Sequence, residues 1–186
     1  EEFALGRFFA RLSNSDYRDR LILKGAQLFR LWSDQPHRPT RDADFLGFGN
    51  PEPSEVKAIF DLIGSTQSDH DDGLEFGPAT AEPIRDNNSY GGIRVKITAT
   101  LGNIRIPLQF DVGFGDVITP ATEQGRWPGL LDFPDTQLIT YPVETVIAEK
   151  LEAAVSLGLA NSRMKDFYDL HWLATHLDLN PASLKE

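Results

Sequence analysis

The sequence predicts an α+β fold: a mixed β-sheet flanked by helices and followed by a helical C-terminal part. Three observations carry this. Two alternating segments joined by Gly102-Asn103 read as a β-hairpin. Apolar residues at helical spacing open the chain, and two stretches with helical start and stop signals close it. The order helix, mixed strands, helices is that of an α+β domain. A chain of 186 residues with 40% hydrophobic composition suits one compact domain, with a small helical appendage.

The elements follow in order. Phe3, Ala4, Leu5, Phe8, Phe9 and Leu12 have helical spacing, and Asn14-Ser15-Asp16 ends that helix. Leu21-Ile22-Leu23 is a short apolar run before Lys24-Gly25, and a helix is expected from Ala26 to Trp32. Pro36 and Pro39 bracket a loop that leads into a strand over residues 42–48. Pro53 opens a helix at its favoured first-turn position, and Gly64 stops it. Residues 65–90 read as polar loop with one short strand near Leu74–Phe76, and the acidic run from Asp69 to Glu75 reads as solvated. On the hairpin, Ile93, Val95, Ile97, Ala99 and Leu101 alternate with polar residues, as do Leu108, Phe110 and Val112. A two-residue turn would pair Arg94 with Asp111 and Lys96 with Gln109. Pro107 inside the second strand points to an edge position or a bulge. Pro142 opens a helix to about Leu157, closed by Gly158, and a last helix runs from about Arg163 to Leu177, ending near Asn180-Pro181.

Composition narrows the functions. The formal net charge is −10, from 28 acidic and 18 basic residues, which argues against a general nucleic-acid coat. The charge is uneven: Lys24, Arg30 and Arg38 cluster between Arg20 and Arg41, and such a stretch can hold a nucleotide phosphate. Without cysteine there is no disulfide framework and no thiolate metal site. Glu1-Glu2 has the wrong charge to open a signal peptide, and no apolar run approaches the ~18 residues of a membrane span. No membrane and a cytoplasmic location are therefore expected. With no initiator Met, the chain is expected to start inside its gene product or to have been processed. His37, His70, His171 and His176 lack metal-ligand spacing, S-x-x-K at Ser162–Lys165 has no companion motif, and Asn87-Asn88-Ser89 is a sequon by letter alone. Trp32, Trp127 and Trp172 read as packing residues rather than a base-stacking platform.

The chemistry points to carboxylates. Strand periodicity puts Asp42 and Asp44 on one face, with Ala43 and Phe45 on the other. The apolar side must face the core, so the two acids project from the open face. Asp111 lies on the polar face of the hairpin with Arg94, Lys96 and Arg105. Carboxylates at i and i+2, with a third from a neighbouring strand, suit Mg²⁺, which takes oxygen ligands and keeps several waters. A pair of ions could hold both the attacking and the leaving oxygen of a phosphoryl displacement. A D-x-D pattern alone is more often merely solvated; its context makes the difference.

That context is LKGAQLFRLWSDQPHRPTRDADFLG, residues 23–47. It resembles the first motif of the nucleotidyltransferase superfamily with the DNA polymerase β-like fold, in which a Gly-Gly or Gly-Ser turn opens a helix and a D-x-D strand follows. Here the second position is Ala26, so a serine contact to phosphate is replaced by backbone. RLSNSDYRDRLILKGA, IRDNNSYGGIRVKITATLGNIRIPLQFDVGFGD and YPVETVIAEKLEAAVSLGLANSRMKDFYDL resemble the AbiEii/AbiGii nucleotidyltransferase toxin family. The resemblance covers residues 8 to about 173. It implies a nucleotidyltransferase-like sheet with C-terminal helices closing a cleft, a catalytic core over residues 1–125 and a helical part over 126–186. Family members often look longer than this chain, so further RNA-contacting residues are expected outside it.

The resemblance implies catalytic roles for Asp42, Asp44, Asp111, Lys150 and Asp166, with the first three as metal ligands. It implies nucleotide binding by Lys24, Gly25, Ala26, Arg41 and Lys150, one or two Mg²⁺ ions, and an NTP co-substrate. The implied partners are a cognate antitoxin and a nucleotide acceptor, for some members the tRNA 3′ end. Residue by residue, plainer readings stand beside these. Lys150 lies on or beside the stripe Val143, Val146, Ile147, Leu151 and Ala154, where it could snorkel or pair with Glu144 or Asp166. The acid at Asp166 could bond Lys150 or the nucleotide, or cap the last helix. Arg41 could contact phosphate or neutralise Asp42, and Lys24 could simply be exposed. The rival functions are transfer to a protein or small molecule, a kinase-like phosphotransfer, and a catalytically silent nucleotide-binding module.

Overall fold

The computed structural model describes residues 1–33, 37–84 and 91–180, together with residues 182 and 184. Pro36, the sequon Asn87-Asn88-Ser89 and Pro181 lie outside the described residues. The chain divides into two compact units: residues 1–116 with 124–140, and residues 117–123 with 141–186. The sequence reading divided the chain after residue 125. The segment 124–140 carries sheet strands and falls in the first unit.

The first unit opens with helix α1 (Glu2–Ser13), whose buried face is Ala4, Leu5, Phe8, Phe9 and Leu12, as its spacing predicts. Strand β1 (Leu21–Lys24) leads into a 3-10 turn, Gly25–Leu28, and the short helix α2 (Phe29–Trp32). Strand β2 (Asp42–Gly47) follows, then helix α3 (Pro53–Ser65), with proline in its first turn. Strands β3 (Leu74–Phe76) and β4 (Thr80–Pro83) both pair with β5 (Ile93–Leu101). They form one edge strand broken at residues 77–79. Next come β6 (Ile104–Phe114), β7 (Glu123–Trp127) and β8 (Thr136–Thr140). Together these make an eight-stranded mixed sheet in the order β3-β5-β6-β2-β1-β8-β7, with β4 beside β5.

The hairpin register is the expected one: Arg94 pairs with Asp111 and Lys96 with Gln109. Pro107 pairs with Thr98 without a bulge. Strand β2 pairs only with Gln109 to Phe114 of β6, so Pro107 lies where β6 has an open side and needs no second donor. Three strands escape the sequence reading, β4, β7 and β8. In β8 the buried positions are Thr136, Leu138 and Thr140, so threonines hide the apolar alternation.

One face of the sheet is closed by α1 and α3 through an aromatic core. Phe8 lies 4.5 Å from Phe110 and 5.6 Å from Phe60 between ring centroids, and Phe9 meets Trp127 edge-on at 4.7 Å. Full burial of each of these rings contributes about 1.5–3 kcal/mol. Trp127 is thus a packing residue.

The acidic run from Asp69 to Glu75 is not simply a solvated loop. Asp72 is buried and accepts from Arg7 Nε at 2.9 Å and from Arg11 Nη1 and Nη2 at 2.6 and 3.0 Å. The two arginines sit one turn apart on α1 and bury their charge against it. Burial pushes the Asp72 carboxyl up, but the hydrogen bonds from Arg11 and Arg7 outweigh it and lower it to about 2.

The second unit holds helices α4 (Val143–Leu157) and α5 (Met164–His176). Gly158 ends α4 at φ +50°, as its position predicts. The apolar stripe expected on α4 is only partly buried: Val146 and Ile147 are inside, whereas Leu151 is half exposed. On α5 the buried face carries Asp166, Asp169 and Leu173, while Phe167 is exposed. The Thr145 hydroxyl donates to the Thr119 carbonyl at 2.8 Å and accepts from its N–H at 3.2 Å, tying the 117–123 segment to α4. No helix among the described residues is long and apolar enough to cross a membrane.

A pH prediction follows from Asp72. Its carboxyl is lowered on folding from an ordinary value of about 3.9, so its contribution is present above that pH and is lost as pH falls toward about 2. Asp72→Asn should cost about 3 kcal/mol at pH 7 in urea unfolding. The gap to the unsubstituted chain should close between about pH 4 and pH 2. A gap that stayed constant with pH would contradict the ion-pair account.

Candidate active site

The site is built by strand pairing. Lys24, the last residue of β1, pairs with Asp44 on β2. Asp44 pairs with Asp111 on β6, Asp111 with Arg94 on β5, and Arg94 with Glu82 on β4. Directly paired residues share a face, so one row runs across five strands: cation, acid, acid, cation, acid. Flanking residues point the other way and are buried: Leu23, Ala43, Phe45, Phe110, Val112, Ile93 and Val95. The aromatic core therefore aims the row at solvent. Asp42 stands two residues before Asp44 on the same face, at the exposed start of β2.

Both oxygens of Asp111 are engaged. Arg94 Nε donates to Oδ1 at 2.9 Å and Nη2 to Oδ2 at 2.7 Å, a two-pronged fork. The Asp111 carboxylate holds the Arg94 guanidinium above its ordinary range, with lesser contributions from Asp42 and Glu82. Lys24 Nζ lies 2.5 Å from Asp116 Oδ2. Asp116, just beyond β6, is an acid of this face that the sequence reading did not single out. Its only signal was its place at the end of the quoted QFDVGFGD. Gln27 also went unnoticed: its side-chain amide donates to the Asp42 carbonyl at 3.1 Å, tying the turn after β1 to the start of β2.

Gly25 opens that turn at φ +73°. A Cβ there would lie 2.2 Å from Asp44 Oδ2. The position therefore demands glycine twice, for backbone angle and for space. Ala26 follows it, and beside them opens a cavity of about 950 Å³, lined by Ala26, Gln27, Arg30, Arg38, Arg41 and Arg126 with Glu1, Glu2 and Asp135. Arg30 pairs with Glu2 and Arg126 with Asp135. The side chain of Arg41 is 84% exposed, and its nearest acid is Glu1 at 3.9 Å.

The donor chemistry of Asp42 and Asp44 suits Mg²⁺: hard oxygens on an open face, with room for waters and phosphate. Asp111 is their neighbour in register, yet its two oxygens face Arg94. Among the described residues no group of three or more His, Cys, Asp or Glu side chains stands together as a metal-holding cluster.

Lys150 and Asp166 belong to the second unit. Lys150 Nζ donates to Asp166 Oδ1 at 3.0 Å and to Asp169 Oδ2 at 2.7 Å, all three side chains being nearly or fully buried. Arg163 Nε lies 2.6 Å from Asp166 Oδ2. The lysine thus neither snorkels nor pairs with Glu144; it clasps α4 to α5. Asp169 is a partner that the sequence reading placed on the helix but did not assign.

The close approach at Gly25 is testable. Gly25→Ala should lose more than ~1 kcal/mol in urea unfolding from the backbone angle alone, and further stability from the contact with Asp44. Gly102→Ala, at φ +56° with nothing within 4 Å of the added carbon, is the control for angle without contact. Equal losses for the two would contradict the packing of Gly25 on Asp44.

The solved structure of JHP933 from Helicobacter pylori matches with TM-score 0.56 and 18% identity, over 93% of this chain and 64% of that one. A second H. pylori structure, assigned as a nucleotidyltransferase, matches with TM-score 0.56 and 17% identity, over 94% of this chain and 67% of that one. At such identities the likeness concerns the fold. This chain spans about two-thirds of the length of either solved chain. No curated protein matches it. The family model described as "Nucleotidyl transferase AbiEii toxin, Type IV TA system" matches residues 7–186. With that match over nearly its whole length, the chain belongs to the AbiEii family of nucleotidyltransferase toxins of type IV toxin–antitoxin systems.

Proposed function

We propose that this chain transfers a nucleoside monophosphate from an NTP to an acceptor hydroxyl at the Asp42–Asp44–Asp111 face, with release of pyrophosphate. The observation that carries the proposal is the row Lys24–Asp44–Asp111–Arg94, which sets two acids side by side between two cations on an open sheet face.

Asp42 and Asp44 would hold the divalent ion. Bound Mg²⁺ would supply charge neutralisation at the triphosphate and lower the cost of the developing negative charge. The rest falls to side chains. An acceptor oxygen attacks the α-phosphorus, and the bond from that phosphorus to the bridging oxygen breaks, so that pyrophosphate leaves. The acceptor proton passes to a carboxylate, a role we assign to Asp111. Lys24 and Arg94 supply cations for phosphate oxygens, and Gly25 lets the turn backbone come close. Catalysis of this kind is mostly positioning and electrostatic stabilisation.

For the acceptor we infer the tRNA 3′ end, which the resemblance implies for some members of the family. The cavity beside Ala26 sets Arg30, Arg38, Arg41 and Arg126 against Glu1, Glu2 and Asp135, a slight local positive excess on an acidic molecule, which supports a phosphate-bearing partner. A cognate antitoxin and work in the cytoplasm, where NTP and tRNA meet, complete the reading.

The test is incubation with four α-labelled NTPs, Mg²⁺ and total RNA. One NTP should label an RNA band, and EDTA should abolish the label. Asp44→Ala should reduce labelling by at least about a hundredfold while melting within a few degrees of the unsubstituted chain. Label on protein or a small molecule would overturn the RNA acceptor. No label, together with no thermal shift by any NTP with Mg²⁺, would indicate a silent module.

A further inference from the structure

The fork on Asp111 creates a conflict within the site. A carboxylate has about four lone-pair positions, and a two-pronged arginine takes one on each oxygen, along the edge that a chelated ion would use. Both oxygens of Asp111 are thus committed to Arg94. The commitment is not buried: the Arg94 side chain is 36% exposed and that of Asp111 20%. A pair so open to water can exchange partners. The guanidinium that would be released has the planar, two-pronged geometry that phosphate accepts as readily as carboxylate.

We propose that Arg94 is a positioning residue that keeps Asp111 out of the metal site until nucleotide phosphates offer the guanidinium another partner. This rests on the reading of Asp42 and Asp44 as metal ligands. Its consequence is order: the empty site binds divalent ions weakly, and nucleotide and ion bind together better than either alone. The opposite end of the row has a parallel arrangement, with Lys24 against Asp116. Between them, two cations neutralise an acid-rich face that would otherwise collect divalent ions with no substrate present.

The neighbouring strand position supplies a control. Lys96 lies on the same strand and face as Arg94, two residues on, but its ammonium donates to Glu82 at 2.9 Å. Removing either residue removes one positive charge from the same surface. Only Arg94 removes a grip on Asp111.

The experiment measures Mn²⁺ binding by electron paramagnetic resonance, with and without a non-hydrolysable NTP analogue. Arg94→Gln should tighten Mn²⁺ binding without nucleotide by roughly tenfold, the scale of one charge-assisted hydrogen-bonded pair. It should weaken binding of the analogue by a similar factor. Lys96→Gln should change either by less than about threefold, the residue of a screened surface charge. Arg94→Lys, which keeps the charge but not the fork, should tighten Mn²⁺ binding by an intermediate factor. It also serves as the readout if the glutamine variant fails to fold. Equal effects of Arg94→Gln and Lys96→Gln, or no tightening in either Arg94 variant, would overturn the proposal. Asp44→Asn separates the two readings. If it leaves Mn²⁺ binding in the presence of the analogue unchanged, the metal assignment itself fails. If it abolishes that binding while the Arg94 variants behave like the unsubstituted chain, only the role of Arg94 fails.

Discussion

Two carboxylates standing abreast on parallel neighbours, Asp44 on β2 and Asp111 on β6, are the constraint around which the first unit is organised. Like charges directly opposite each other in a sheet repel, so the pair persists only with compensation. The compensation is at hand in the next strand on either side, Lys24 on β1 and Arg94 on β5. Stability alone would favour removing the acids. Acids on an open face flanked by cations fit the proposed site for metal and nucleotide.

What holds the row in place lies on the other side of the sheet. Ala43 and Phe45 of β2, Ile93, Val95, Ile97 and Ala99 of β5, and Leu108, Phe110 and Val112 of β6 enter an aromatic and aliphatic core under α1 and α3. A one-residue slip of β2 would bury Asp42 and Asp44 and expose Phe45, at a cost of several kcal/mol. The register of the acids is thus fixed by phenylalanines on the opposite face of the sheet. At the row's edge, Gly25 brings the turn after β1 against Asp44, and Gln27 ties the same turn to the start of β2. Loop and strand are therefore positioned together.

Much of this was legible in the sequence, for a physical reason. Alternation in β5 and β6 is strict, so the hairpin, its turn and the pairing of Arg94 with Asp111 could be read from residue order alone. The sidedness of Asp42 and Asp44 followed from Ala43 and Phe45. What could not be read was long-range. Nothing local says that β2 lies parallel to β6, which is what brings Asp44 beside Asp111. Asp116 looked like an ordinary loop acid until folding set it against Lys24. Asp72 looked solvated because its partners, Arg7 and Arg11, lie some sixty residues earlier. Strand β8 was hidden because two of its three buried positions are threonine. In the second unit the same blindness hid Asp169. Sequence can mark Lys150 as a costly residue on a helix and offer Asp166 as a partner, but it does not show that Asp169 is the second.

The most direct measurement is a crystal structure of the chain grown with Mn²⁺ and a non-hydrolysable NTP analogue, using anomalous scattering to find the metal. The account predicts manganese peaks within coordination distance of Asp42 and Asp44 carboxylate oxygens, about 2.0–2.3 Å, with the triphosphate completing the shell. Manganese and triphosphate ordered elsewhere on the molecule, with Asp42 and Asp44 facing only water, would contradict it.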